Sequence, residues 1–555
     1  VKQTPQTPQT PQTAHFDLIV IGAGINGLGI ARDAAERGLR VALVEQEDFC
    51  AGVSAWSGRL VHGGLRYLEH GDVPLVRESL RERERLFHVA PHLVKPVRLI
   101  MPFFSRNTRP SWMIRLGMIA YDVLSFDKSV KSHRVLSAKA VSQRFTGIET
   151  KGLSGAALFT DGQVEFAERL CTELAVAAGE AGATFFLHSR VTRIVVEGDR
   201  VVGVEATRAS GDVFTLTGDI TINAGGPWVD DVLHGTDSAS AIESKRLIGG
   251  SKGSHLIVDA FPGAPRDVVY YESQTDGRLV LVIPWMGRYL IGTTDQLFDG
   301  DPDSARCEPD EVNYLLTEVN TLMPEANLTL GDVLYTYSGV RPLPFNPGVS
   351  EWKIPRSHIV LDHAKSGYRG LLSIVGGKLT TYRQLAGDAT DMVVRQLKRG
   401  AAKPVSKDAP FPGARSTDLS SFAHNFIEDS VANANVGPDT AQRLVTMYGT
   451  RAEEIVALVQ RDATLGERFD PNSAAIAAEL VFAVTAEYAE TLTDVFARRI
   501  LLAFEPGHGL EGMTRASKIL GDQLGWTAKE RKANEAEYRE WLDHLRIPVM
   551  AGVTA

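Results

Sequence analysis

Residues 17–45 constrain the fold more than any other stretch. Asp17 to Ile21 reads DLIVI, an apolar run of the kind buried inside a parallel sheet. It runs directly into Gly22-Ala23-Gly24-Ile25-Asn26-Gly27, a GxGxxG turn, and then into the helical pattern LGIARDAAERG, closed by Gly38. A second apolar strand, VALVE, ends in Glu45, 23 residues after Gly22. Strand, glycine turn, helix, strand and acidic tip together form a dinucleotide-binding βαβ unit. Gly22 makes the tight turn, Gly24 lets a pyrophosphate approach the backbone, and Gly27 brings helix close to strand. The helix N-terminus offers unpaired N–H groups to the phosphates. Glu45 would accept hydrogen bonds from the adenosine ribose, and its charge disfavours a 2′-phosphate.

The fingerprint alone does not separate FAD from NAD, and the rest of the chain bears on that choice. Residues 220–228, ITINAGGPW, read as a later strand of the same domain returning to the cofactor at Ala224-Gly225. Residues 371–386, LLSIVGGKLTTYRQLA, run from a buried strand into Gly376-Gly377 and then a helix. The amides of that helix and Lys378 would face developing negative charge, such as that on the N1/O2 edge of a reduced flavin.

The 555 residues suggest two to four domains, and 44% apolar with 23% charged residues is a soluble globular balance. A net charge of -9 argues against broad nucleic-acid binding but leaves room for a local basic pocket. Cys50, Cys171 and Cys307 share no short spacing, so neither a disulfide framework nor a zinc site is indicated. No metal-binding or acyl-enzyme motif appears. No run approaches the ~18 apolar residues of a spanning helix, and no signal-peptide pattern is present. The expected location is cytoplasmic. The opening TPQTPQTPQT repeat buries nothing, and residues 1–15 are expected to be a disordered tail.

RLVHGGLRYLE (59–69), IPWMGRYLIGTTD (283–295), YTYSGVRPL (335–343) and IVGGKLTTYR (374–383) follow one another in an order that resembles the FAD-dependent glycerol-3-phosphate dehydrogenases. With the GxGxxG unit and NAGGPWVDDV, the resemblance covers roughly residues 16–540. It implies an α/β fold in which a Rossmann-like FAD-binding domain is interleaved with a mixed-sheet substrate domain, followed by an α-helical C-terminal domain. It also implies oxidation of sn-glycerol 3-phosphate to dihydroxyacetone phosphate, with electrons passed to a quinone at a membrane face. One departure is that Arg59 stands where the family commonly has lysine, after a segment (52–58) poorer in hydroxyl residues. Oxygen as acceptor, a flavin amine or amino-acid oxidase, and a non-catalytic FAD-binding sensor are the alternatives.

The chemistry requires a hydride acceptor, a base for the C2 hydroxyl proton and cations for a phosphate dianion. Arg341 is expected to bind the phosphate, with Arg66 and Tyr67 beside it, and Lys378 to sit near the flavin edge or a substrate oxygen. His255 is the expected base and His62 its rival; Thr294 and Asp295 would contact substrate hydroxyls or orient a histidine. The cofactor set is Gly22, Gly24, Asn26, Gly27, Glu45, Ser57, Arg59, Leu60, His62, Gly63, Gly64, Val191, Ala224, Gly225, Gly377, Lys378, Leu379 and Thr380.

The FAD-binding domain is expected over 16–90, 165–245 and 335–395, and the substrate domain over 91–164 and 246–334. Residues 396–415 read as a Pro/Gly/Lys linker, and apolar residues at helical spacing make 416–555 a helical domain. Its role is open between a homodimer contact and membrane docking. PSWMIRLGMIAYDVLSF (110–126) suits a helix packed on the substrate domain better than an interfacial one that would give peripheral membrane contact.

Overall fold

The computed structural model describes residues 15–549 except 236–244, 349–355, 401–402, 404–405, 417 and 435, so the TPQ repeat lies outside the described residues. Two sheets frame the molecule. In the first, strand His15–Ile21 lies between Val41–Val44 and Val213–Asn223, all parallel. Thr184–Phe186 and Leu371–Val375 extend it in parallel on either side. His15–Ile21, Val41–Val44 and Leu371–Val375 are buried almost throughout, which is why they read as apolar runs rather than alternating ones.

The glycine turn behaves as its chemistry requires. Gly22 has φ +98°, and a Cβ there would stand 2.7 Å from the Ala224 carbonyl oxygen. A Cβ on Gly27 would stand 1.9 Å from the Gly22 carbonyl, so helix Ile25–Glu36 can approach the strand only without one. Gly38, at φ +84°, ends that helix, and Leu39 N donates back to the Ala34 carbonyl at 3.1 Å.

The second sheet is mixed. Val94–Phe104 pairs antiparallel with Leu153–Val164 and parallel with Val268–Glu272. The sequence reading grouped 335–395 with the nucleotide segments. Strand Val333–Pro344 instead pairs antiparallel along Ile248–Val258 in the second sheet. Of that stretch, Ile359–Asp362 and Leu371–Val375 join the first sheet. Leu60–Val61 likewise pairs with Leu153–Val164. The chain therefore crosses between the sheets after Val41–Val44 and again after Val333–Pro344, and the site forms where they meet.

Helix Ser111–Leu124 packs by one face only. Ile114, Met118 and Tyr121 are buried at helical spacing. Trp112, Leu116, Ile119 and Val123 are 65, 60, 53 and 65% exposed on the other face. The packed helix expected from the sequence is thus half of what is found. Beyond residue 415 helices dominate: Leu419–Asn433, Pro438–Tyr448, Ala452–Arg461, Ala477–Glu487, Met513–Leu524 and Ala528–Trp541. No helix among the described residues is long and apolar enough to cross a membrane.

Candidate active site

A cleft of about 410 Å³ runs between the sheets from the glycine turn to His255 and Arg341. At one end it is lined by Gly22, Gly24, Asn26, Glu45, Val191, Ala224 and Gly225. Ser54 Oγ accepts from Ile25 N at 3.0 Å, tying the following loop to the helix start. The Glu45 carboxylate accepts from Ala23 N at 2.6 Å and Glu47 N at 2.9 Å. Burial pushes its pKa up to about 7 despite those bonds. Ser57, Leu60, His62, Gly377, Lys378, Leu379 and Thr380 line the middle.

The far end is built by strand register. Ser251 pairs with Arg341, Gly253 with Gly339 and His255 with Tyr337. Alternation puts Arg341 and His255 on one face. A Cβ on Gly253 would stand 2.1 Å from Arg341 Nη2, so the glycine makes room for the guanidinium. Arg341 donates to Asp295 Oδ1 at 3.0 Å, Thr293 Oγ1 at 2.8 Å and Ser251 Oγ at 3.2 Å. Lys378 Nζ donates to Ser79 Oγ at 3.0 Å and lies 4.6 Å from the centre of the Tyr67 ring.

Electrostatics mark this end as an anion site. Burial pushes the Tyr67 phenol up, but Lys378, Arg356, Arg66 and Arg341 outweigh it and hold the group below its ordinary value. Burial, reinforced by Arg341 and Arg66, pushes Arg356 down to about 10. Burial then Arg341 push His255 down to about 3, and burial with Lys378 and Arg66 does the same to His62. Both imidazoles are therefore neutral near pH 7. His255 Nδ1 is buried with no partner among the described residues.

Several expected residues stand behind the wall rather than in it. Arg59 is fully buried, paired with Glu168 at 2.5 Å and stacked near Trp285 and Phe504. Gly27 acts through helix packing, and Gly63 N donates to Tyr121 Oη at 2.9 Å. Gly64, at φ +76°, caps the turn that carries Tyr67. Arg66 reaches the site through its field and lies 5.8 Å from the Tyr67 ring centre. Thr294 turns away to Glu311 at 2.6 Å, and its neighbour Thr293 lines the cleft instead. Asp295 is the partner that holds Arg341 rather than a wall residue. Sequence reasoning missed Arg356, Thr293 and Trp228. Trp228, beside the small-residue turn after strand 213–223, and Thr293, inside the 283–295 motif, carried a readable signal; Arg356 did not.

The family described as FAD dependent oxidoreductase matches residues 17–383, and the C-terminal domain of alpha-glycerophosphate oxidase matches 404–531. A glycerol-3-phosphate dehydrogenase of Synechocystis sp. is 44% identical over 541 residues, covering 96% of this chain and 97% of its own. The chain belongs to the FAD-dependent glycerol-3-phosphate dehydrogenase family. Another relative of this dehydrogenase family, the D-erythritol 1-phosphate dehydrogenase of Brucella abortus, is 36% identical over 87% of this chain and 93% of its own. The structure of the Bacillus halodurans glycerol-3-phosphate dehydrogenase complexed with FAD superposes with a TM-score of 0.80 at 26% identity, covering 97% of this chain and 96% of that one.

FAD is the cofactor, and the residues present fit it. Asn26 Oδ1 and Trp228 Nε1 line the cleft and are buried without partners among the described residues, as donors and acceptors reserved for a ligand would be. Gly22, Gly24, Asn26 and Ser54 suit the pyrophosphate; Glu45 and Val191 suit the adenosine. The Gly376–Thr380 turn, His62, Leu60 and Ser57 suit the flavin.

Proposed function

We propose that this chain oxidises sn-glycerol 3-phosphate to dihydroxyacetone phosphate and passes the electrons to a quinone at a membrane surface. The convergence of Arg341, Arg356 and Lys378 on the cleft end that also holds a neutral His255 carries this reading. Two guanidiniums and an ammonium match a phosphate dianion, whereas a carboxylate substrate needs fewer cations. Bound FAD supplies the hydride acceptor, its N5. Arg341, held by Asp295 and Thr293, and Arg356 grip the phosphate and fix C2. His255 takes the C2 hydroxyl proton. Its low value in the free protein reflects burial and Arg341, and a bound dianion offsets the second of these and makes the imidazole more basic.

The acceptor reading rests on helix Ser111–Leu124. Its exposed face presents Trp112, Leu116, Ile119 and Val123, with Arg115 exposed beside them, as in a helix lying in a lipid interface. Its buried Tyr121 binds Gly63 N and Asp161, so the same helix supports the His62-Gly63-Gly64 turn.

The deciding experiment is anaerobic addition of sn-glycerol 3-phosphate to the FAD-loaded protein. Bleaching of the flavin with formation of dihydroxyacetone phosphate is expected. No bleaching overturns the substrate assignment. D-erythritol 1-phosphate, the substrate in the Brucella relative's name, is run beside it and is expected to show the lower kcat/KM. Reoxidation by a soluble quinone analogue without hydrogen peroxide supports the quinone; rapid peroxide formation in air assigns oxygen instead.

A further inference from the structure

The cofactor loop between the two sheets runs without helix or strand from 45 to 59, yet Glu45, Gly52, Ser54, Trp56 and Ser57 on it line the cleft. Such a segment loses much conformational entropy on ordering and needs outside partners to hold one shape. Part of its support is local: Cys50 N donates to the Ala23 carbonyl at 3.0 Å, and Ser54 takes Ile25 N. The rest comes from the C-terminal helical domain.

At the adenosine end, the fully buried Asp48 carboxylate accepts from Arg498 Nε at 2.8 Å and from Arg499 Nη1 and Nη2 at 2.7 Å each. The Arg499 guanidinium lies 5.3 Å from the ring centre of Phe49, which also packs edge-on against Tyr488. His188 joins in, donating its backbone N to the Glu47 carbonyl while its ring meets Asp494 at 3.0 Å. At the substrate end, the Trp56 ring stacks on Trp541 at 5.8 Å and on His544 at 5.9 Å. A Cβ on Gly339 would stand 2.7 Å from the Trp56 Cβ, so the far wall is shaped to this side chain as well.

Both ends of the cofactor loop are therefore gripped by residues some 450 to 490 positions away in sequence. We propose that the C-terminal domain is the outer clamp of the FAD site. Arg498 and Arg499 act on Asp48, and Trp541 and His544 act on Trp56, as positioning residues that set the loop for cofactor retention and for the substrate end. Removing one side of a buried ion pair leaves an uncompensated charge, so the Asp48 end cannot keep its shape without the arginines. An aromatic stack contributes less and holds orientation rather than existence. The two ends should fail differently. The grip is independent of which substrate is oxidised.

The test uses the full-length protein stripped of FAD and titrated back, with flavin fluorescence giving Kd and hydrogen exchange reporting on amides 46–58. Arg499→Met is expected to weaken FAD binding about tenfold or more and to speed exchange of the loop. Arg499→Lys should recover part of both. Trp541→Ala should speed exchange around Trp56 and raise KM for the substrate with little change in FAD Kd, and Trp541→Phe should restore it. Phe426→Ala, buried on helix Leu419–Asn433 of the same helical domain, is the control. It should lower Tm and leave FAD Kd and loop exchange unchanged. Unchanged loop exchange in both Arg499→Met and Trp541→Ala, with unchanged FAD Kd in Arg499→Met, overturns the clamp, as does an equal loss of FAD binding in Phe426→Ala. Both readouts stand whether or not any substrate bleaches the flavin.

Discussion

His255 enters the reaction neutral because burial and the Arg341 guanidinium both oppose its protonation, down to about 3. A general base must be unprotonated, so His255 imposes no acid limb on kcat/KM near the ordinary imidazole value. A limb near 6 should instead follow the second ionisation of the substrate phosphate. His255→Gln should lower kcat by about 10²–10⁴ while FAD stays bound, measured by single-turnover flavin reduction. An unchanged rate there, with His62→Gln slow, would move the base to His62. Arg356 is the cation the sequence did not announce, since it follows a stretch with no motif or periodicity. Losing one charge-assisted contact to a phosphate should raise KM by roughly 10–100-fold in Arg356→Ala, with kcat little changed. Thr293 and Thr294 illustrate the same limit. They lie in the stretch between strands Arg288–Gly292 and Gln296–Leu297, where no strand alternation tells which of the two faces the cleft.

Elements made of local contacts were the legible ones. The strand–turn–helix–strand at 15–45 is encoded largely by glycines whose absent Cβ atoms matter within a few residues of one another, with Ala224 against Gly22 and Tyr382 against Gly29 as distant contacts. The C-terminal helices were legible by periodicity. Strand Val333–Pro344 was not correctly placed, because its partner Ile248–Val258 lies some 85 residues away and either sheet would have accepted its apolar pattern. The wide helical turn Asp494–Arg499 was likewise opaque, since its charges look solvated until Asp48 and His188 are brought to it. His188 there gives a stability prediction. Burial alone would lower its pKa, but Asp494 outweighs this and raises it from 6.5 to about 9. A raised value stabilises the fold fully below 6.5, and that contribution is lost as pH rises through about 9. It amounts at most to roughly 3 kcal/mol. Tm of the native protein should therefore fall between those values relative to His188→Gln, as followed by calorimetry. Parallel curves would show that the pair contributes no pH-linked stability.

The whole molecule carries a net charge of -9 yet exposes an apolar helix face with Arg115, Lys131 and Arg134 exposed near it in sequence. A lipid surface with anionic headgroups satisfies both features, because the apolar side chains leave water while the cations stay at the headgroups. Fully burying one large apolar side chain is worth roughly 1.5–3 kcal/mol, so even partial insertion of Trp112, Leu116, Ile119 and Val123 gives measurable binding. Composition marked a helix here and favoured a packed one over an interfacial one, but two apolar faces cannot be ranked from sequence when each is spaced by three or four residues. The folded chain ranks them, since Ile114, Met118 and Tyr121 take the core and leave the other four outside. The native protein should therefore sediment with vesicles containing anionic phospholipid. Leu116→Glu/Ile119→Glu should remain in the supernatant with an unchanged Tm and unchanged turnover of a soluble quinone analogue. Because the altered side chains are solvent-facing, loss of turnover in that variant would mean the helix face serves the flavin site directly. Sedimentation equal to the native protein would mean that this face does not dock to lipid.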